Sequence, residues 1–166
     1  MENIILTGMP GCGKSTVGVI LAKTFGMEFI DTDLIIQIQQ RDKLQRLVDK
    51  FGTDCFRTFE EKALLSVNNR ENTGIATGGS AVYGDDGMKH LSEISVIVYL
   101  KVPVSSLNER LSNIRTRGVV MKKGESIEQL FQRRSPLYEK YAEITVDCSA
   151  LRAEECVDEI IGKLNG

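Results

Sequence analysis

The sequence predicts an α/β layer fold built on a parallel sheet, and three observations predict it. Short apolar runs alternate with helical patterns along the whole chain. The run Ser95-Val-Ile-Val-Tyr-Leu100 lacks polar alternation, as a strand covered on both faces would. Between the first apolar run and the first helical pattern stands Gly8-Met-Pro-Gly-Cys-Gly-Lys-Ser-Thr16, which fits G-x-x-x-x-G-K-[ST] at Gly8, Gly13, Lys14 and Ser15. Parallel strands need right-handed crossovers, so active residues should gather at the carboxyl ends of the strands.

The elements follow in order. Ile4-Ile5-Leu6 marks a buried strand over residues 3–7. A helix over 14–26 comes next, with Val17, Ile20, Leu21 and Thr24 on one face. Phe29-Ile30 meeting Asp31 gives a strand over 28–31. Helices are expected over 34–40, 43–51 and 54–69, then a strand over 73–77 and a helix over 84–91. The fourth strand spans 95–100, and Pro103 suits the first turn of a helix over 103–113. A helix over 126–141 should be disturbed at Pro136. A strand over 144–147 and a helix over 153–164 complete the chain.

Its 166 residues suit one domain with one core, and no repeat or linker divides residues 1–166. With 42% hydrophobic and 27% charged residues, the chain is globular rather than disordered. A formal net charge of -2 argues against a nucleic-acid binder. The charge is uneven, however: Arg110, Arg115, Arg117, Lys122 and Lys123 fall in one stretch without an acid. That stretch is either a solvated loop or the seat of a specific anion. The cysteines Cys12, Cys55, Cys148 and Cys156 form no C-x-x-C pair and show no metal spacing with His90. Free thiols, no apolar run long enough for a membrane and no room for a signal peptide point to the cytoplasm. Cys12 sits inside the glycine-rich loop, where it is a candidate for alkylation.

The loop carries the clearest chemistry. Its glycines allow positive φ, so successive N–H groups can aim inward, and the helix N-terminus adds positive potential. Lys14 can reach outer phosphates, and the Ser15 hydroxyl can bind Mg²⁺. Asp31 could hold Mg²⁺ through water, and Asp33 could accept a substrate hydroxyl or merely cap the next helix. Beside a phosphate loop the first reading is preferred. Arg57 and Glu60, three apart on a helix, form either a surface pair or a guanidinium fork oriented toward a carboxylate. Gly78-Gly79 at a strand end permits close approach of a ligand. The basic stretch, with Gly118 and Gly124 and little apolar content, suits a lid. Arg133 and Arg134 are either solvated or part of a site.

Taken together, these residues resemble the shikimate kinase family, and the resemblance covers nearly the whole chain. Four motifs carry it: the phosphate loop, Asp31-Thr-Asp33, Phe56-Arg57 with Glu60, and Arg134-x-Pro-Leu-Tyr138. The resemblance implies a P-loop kinase three-layer fold with a five-stranded parallel sheet in order 2-3-1-4-5, flanked by helices. It also implies a substrate-binding helical region at about 32–60 and a lid at about 112–124. The implied reaction is transfer of the γ-phosphoryl group of ATP to the 3-hydroxyl of shikimate, with Mg²⁺. Gly11, Cys12, Gly13, Lys14, Ser15 and Thr16 would cradle ATP, with Arg110 over the adenine. Ser15 and Asp31 would hold Mg²⁺. Lys14, Asp33 and the lid residue Arg117 would be catalytic. Asp33, Glu60, Gly78 and Gly79 would bind shikimate, and Arg57 and Arg134 would clamp its carboxylate. The expected partners are shikimate and ATP, with no nucleic acid and no membrane, and the chain is expected to be a monomer.

The chain departs from the family pattern on the substrate side. It has Gly78-Gly79-Ser80 where the family usually has three glycines, and Arg117-Gly118-Val119-Val120 where the family has Arg-Pro-Leu-Leu. Val48 stands for a usual phenylalanine and Ala153 for a frequent proline. Ser80 should either meet a substrate oxygen or crowd the site, and shikimate should bind with a raised KM. The competing readings are a kinase for another hydroxy acid such as gluconate, and a regulatory nucleotide-binding module.

Overall fold

The computed structural model describes residues 2–68, 71–111 and 119–166. Among these residues, five strands make the sheet: β1 (Asn3–Thr7), β2 (Glu28–Asp31), β3 (Thr73–Ala76), β4 (Ser95–Lys101) and β5 (Ile144–Asp147). All pairings are parallel and the order is β2-β3-β1-β4-β5, as expected. The register stacks apolar residues across the middle: Ile5 lies opposite both Ile75 and Ile97, and Ile75 also faces Ile30. Ile97, Val98, Tyr99 and Leu100 are all fully buried, so both faces of β4 are covered. Buried Asn3 ties the amino ends together: its Oδ1 accepts from the Thr73 amide, and its Nδ2 donates to the Ile94 carbonyl.

Among the described residues, seven α-helices surround the sheet: α1 (Lys14–Phe25), α2 (Thr32–Gln40), α3 (Leu44–Leu65), α4 (Asp85–Ile94), α5 (Val104–Arg110), α6 (Ile127–Tyr141) and α7 (Ala153–Leu164). Helices α1 and α7 pack against each other, against β3 and β5 respectively, while α4 and α6 pack against β4. The buried face of α1 is Val17, Gly18, Leu21 and Ala22, whereas Thr24 is exposed and returns its hydroxyl to the Ile20 carbonyl. A main core surrounds the sheet, and a smaller cluster of Ile36, Leu47, Phe56, Ala63 and Val120 lies under α2 and α3.

Several boundaries differ from expectation. The helices predicted over 43–51 and 54–69 join into α3, broken inside only at Gly52 (φ 77°, ψ 172°). That conformation is open to glycine and strained for other residues. The helix predicted over 103–113 is α5, with Pro103 as its N-cap rather than in its first turn; residues 112 and 113 lie outside the described residues. A 3₁₀ turn, Ala81–Tyr83, went unpredicted. Helix α6 runs straight through Pro136. Tertiary anchors on both sides override the missing N–H: Arg134 and Tyr138 are both buried. The start of α6 is secured by a capping box, with Ser126 accepting from the Gln129 amide and Gln129 accepting from the Ser126 amide.

Tyr138 is the bolt between α6 and the turn after β3. Its ring stacks on Tyr99 with centroids 5.1 Å apart, and its hydroxyl donates to the Gly79 carbonyl at 2.5 Å. Removing the hydroxyl leaves that carbonyl without a partner. Tyr138→Phe should therefore lower stability by about 1–2 kcal/mol, read as a lower urea midpoint at constant slope. An unchanged midpoint would show that this bond carries no net stability.

Candidate active site

The loop leaving β1 turns at three glycines with positive φ: Gly8 (147°), Gly11 (80°) and Gly13 (101°), the last being the N-cap of α1. A Cβ on Gly8 would stand 2.7 Å from the Leu100 carbonyl oxygen, so the backbone there also runs too close to β4 for a side chain. Lys14 is buried rather than exposed, and its Nζ donates to the carbonyls of Gly8 (2.8 Å) and Met9 (2.9 Å). Those bonds curl the ammonium over the loop that the glycines shape. Cys12 is also buried, with Sγ 3.7 Å from Lys14 Nζ, so its expected exposure to alkylation does not hold.

The acids sit at the end of β2. Asp31, not Asp33, caps α2: its Oδ1 accepts from the Asp33 amide at 3.0 Å. Its Oδ2 accepts from the Ser15 hydroxyl at 2.7 Å, joining the second strand to the phosphate loop. Asp33 is thereby free of capping and faces the cavity. Burial pushes its carboxyl up to about 6, with Asp31 adding to the rise and Lys14 opposing it. Glu60 is buried and accepts from the Ser80 hydroxyl at 2.5 Å. Burial pushes it up to about 7, against the Ser80 hydrogen bond, with Asp33 raising it and Arg134 and Arg57 lowering it.

The turn after β3 brings these acids together. Gly78 donates its amide to Thr32 Oγ1 at 3.3 Å. A Cβ on Gly78 would lie 2.7 Å from Glu60 Oε1 and 2.9 Å from Asp33 Oδ1; one on Gly79 would lie 2.8 Å from Pro10 and 3.0 Å from Arg134 Nη1. Both glycines are needed because charged side chains close over bare backbone.

Arg134 is only 1% exposed, and its Nη2 donates to the Val120 carbonyl at 2.5 Å. Its buried Nε has no protein partner among the described residues. The alternative of a solvated arginine is thus excluded for Arg134, and Arg133 is half-buried in a two-pronged pair with Glu125 (2.9 and 2.7 Å). Arg57 departs from both readings of its pairing with Glu60. Its guanidinium lies 4.1 Å over the Tyr83 ring, and the described hydrogen-bond partner of Glu60 is Ser80.

One cavity of about 660 Å³ gathers most of the expected residues. Gly11, Gly13, Lys14, Ser15, Thr16 and Arg110 line one part of it; Asp33, Glu60, Gly78, Gly79 and Arg134 line the rest. Arg110 Nη1 also reaches the Gly11 carbonyl at 3.4 Å. Cys12, Asp31 and Arg57 do not line it. Arg115, Arg117 and Gly118 lie outside the described residues. The end of the expected lid does not lack apolar anchorage: Val119 and Val120 line the cavity, and Val120 is buried in the smaller core. Val48 packs against that same cluster rather than lining the cavity.

Sequence reasoning missed the partner of Glu60 and the ring beside Arg57. Residues 60 and 80 sit on different elements, and no spacing rule joins them. Tyr83 gave no signal beyond an aromatic residue near two glycines. Phe56 and Tyr138 stood inside recognised motifs, yet their work as cavity wall and as anchor of Gly79 emerges only in three dimensions.

A family model described as shikimate kinase matches residues 10–165. A shikimate kinase of Thermodesulfovibrio yellowstonii is 36% identical over 163 residues, covering 97% of this chain and 94% of its own. Among solved structures, shikimate kinase from Acinetobacter baumannii in complex with shikimate superposes with a TM-score of 0.92 at 29% identity, covering 99% of this chain and 93% of that one. The enzyme from Aquifex aeolicus superposes with a TM-score of 0.85, also at 29% identity, covering 99% and 96%. Because the match runs from inside the phosphate loop to the end of α7, it accounts for the chain as a whole: this chain belongs to the shikimate kinase family.

Proposed function

We propose that this chain transfers the γ-phosphoryl group of ATP to the 3-hydroxyl of shikimate, giving shikimate 3-phosphate and ADP. The observation that carries the reading is Arg134. Its buried Nε lacks a partner among the described residues, and Arg134 lines the same cavity as the phosphate-loop lysine. A buried guanidinium with a spare donor fits a carboxylate, and the cavity brings that carboxylate within one small molecule's length of a phosphate site.

The roles follow from the side chains. Backbone amides of the loop and Lys14 bind the phosphates, and Arg110 lies at the edge of the cavity suited to the nucleotide base. Ser15 and Asp31 fit a hard divalent cation, because a hydroxyl and a carboxylate 2.7 Å apart offer the oxygen donors that Mg²⁺ takes. Ser15 would hold it directly and Asp31 through water; once bound, Mg²⁺ neutralises charge on the phosphate oxygens. Asp33 accepts the proton of the attacking hydroxyl as its oxygen bonds to phosphorus and the bond to ADP breaks. A carboxyl poised near 6 is ionised at neutral pH yet basic enough to take that proton. Arg134 holds the substrate carboxylate, and Arg57 leaves Tyr83 to join it. Gly78 and Gly79 present backbone to the ring. Arg117 would complete the site from the lid. The free cysteines suit a reducing cytoplasm.

The primary test is ADP release measured over shikimate, quinate and gluconate. Shikimate should be the preferred acceptor; preference for gluconate, or release indifferent to all three, would overturn the reading.

The two acids should separate by their kinetics. Asp33→Asn should lower kcat by about 10²-fold or more with little change in KM for ATP. Asp31→Asn should chiefly raise the Mg²⁺ concentration needed for half-maximal rate. Loss of the same parameter in both variants would contradict the division of labour.

Stability should reflect the same carboxyls. Both have folded values above their unfolded ones, 3.8 for Asp33 and 4.5 for Glu60. Their contribution is therefore fully present below about pH 4 and is lost as pH rises through about 6 and about 7. Glu60→Gln cannot ionise, so its Tm should fall less between pH 5 and pH 8, and at pH 8 it should exceed that of the parent by about 2–4 °C. Parallel Tm curves for the two proteins would show that Glu60 is not strained by its charge.

A further inference from the structure

We propose that Ser80 is a positioning residue for phosphoryl transfer: its hydroxyl pins Oε2 of Glu60 and leaves Oε1 beside Gly78 to receive the acid substrate. Its kinetic consequences rest on the shikimate reading; the structural claim does not.

The Ser80 hydroxyl and Glu60 Oε2 are 2.5 Å apart, and both residues are buried in the wall of the cavity, at 5% and 4% exposure. The hydroxyl proton is committed to Glu60, so Ser80 is not free to donate to a substrate oxygen; its oxygen keeps the capacity to accept from one. The charged groups around Glu60 come from three helices: Asp33 on α2, Arg57 on α3 itself and Arg134 on α6. Oε1 and Asp33 Oδ1 converge on the space over the Cα of Gly78, each within 3 Å of the point a Cβ would occupy. Two carboxyls that close on one point repel each other when both are charged. A fixed donor on the far oxygen of Glu60 holds it in register and favours its ionised form. The Ser80 bond is the largest influence holding this carboxyl down against burial. Without it, the Glu60 carboxyl is pushed higher still, so less of it is ionised at neutral pH, and its rotamer is no longer fixed. The charge balancing Arg134 then changes just where the substrate carboxylate must bind.

The test compares the parent with Ser80→Ala, Ser80→Thr and Glu60→Gln. Ser80→Ala should raise KM for shikimate about 10-fold while KM for ATP stays within about 2-fold. The acidic limb of kcat/KM should move up by about one pH unit. Ser80→Thr keeps the hydroxyl and should restore both. Adding Ser80→Ala to Glu60→Gln should cost nothing further, because the bond acts through the carboxylate. The substrate-free arm is ¹³C NMR titration of the Glu60 carboxyl, repeated in an Asp33→Asn background to separate the two acids. Its midpoint should rise in Ser80→Ala and return in Ser80→Thr. An equal midpoint in the parent and Ser80→Ala overturns the proposal, as does equal loss of ATP and shikimate affinity. Failure of the parent to phosphorylate shikimate would count against the proposed function alone, and the NMR arm would still decide the role of Ser80.

Discussion

Arg134 is the charge around which the substrate half of the cavity is arranged. A guanidinium buried to this degree is tolerable only where neighbouring groups replace water, and four segments converge to do so. Helix α6 carries it, the segment before α6 offers the Val120 carbonyl, α3 brings the charge of Glu60, and the turn after β3 lays Gly79 against it. Tyr138, one helical turn further on, fastens that turn by its own hydroxyl. The rings and apolar residues nearby keep the arrangement rigid. Tyr83 stands within reach of three guanidiniums, those of Arg57, Arg133 and Arg134. The consequence is a cationic wall that keeps one donor, Arg134 Nε, without a partner among the described residues.

The other half of the cavity is built by a different rule. There the backbone does the work: glycines with positive φ turn it, and Lys14 is held over the turn by the Gly8 and Met9 carbonyls. This explains why the two halves were unequally legible in the sequence. The phosphate loop is a contiguous string whose geometry follows from its own residues, so its place between β1 and α1 could be read directly. The sheet was equally legible, since unbroken apolar runs such as Ser95–Leu100 announce strands covered on both faces. The substrate half is assembled from residues far apart in the chain. Glu60 and Arg57 looked like neighbours on one helical face, yet burial turned Glu60 toward Ser80 and Arg57 toward Tyr83. Asp33 was open to two readings, a helix cap and a site residue, with the site preferred; Asp31 took the cap and left Asp33 for the cavity. Pro136 looked like a helix breaker because local propensity says so; two buried anchors outweighed it. For Glu60 and Arg57 the decisive partner came from another element.

The carboxyls link stability to chemistry. Asp33 and Glu60 are both raised by burial, Asp33 also by Asp31 and Glu60 also by Asp33, so the folded protein holds their charge at a cost near neutral pH. In the proposed reaction, that same strain gives Asp33 the basicity to accept a hydroxyl proton. On the same proposal, a substrate carboxylate beside Arg134 adds a further negative charge, which makes a fixed donor such as the Ser80 hydroxyl more valuable, and Ser80 in place of a third glycine belongs to that charge arrangement.

The central claim is that Arg134 receives the substrate carboxylate in the cavity that also holds the phosphate loop. A crystal structure of the protein with shikimate, ADP and Mg²⁺ tests it most directly. The account predicts a carboxylate oxygen at about 3 Å from Arg134 Nε, with the 3-hydroxyl turned toward Asp33. A bound shikimate whose carboxylate lies elsewhere, leaving Arg134 Nε without a partner, would contradict it.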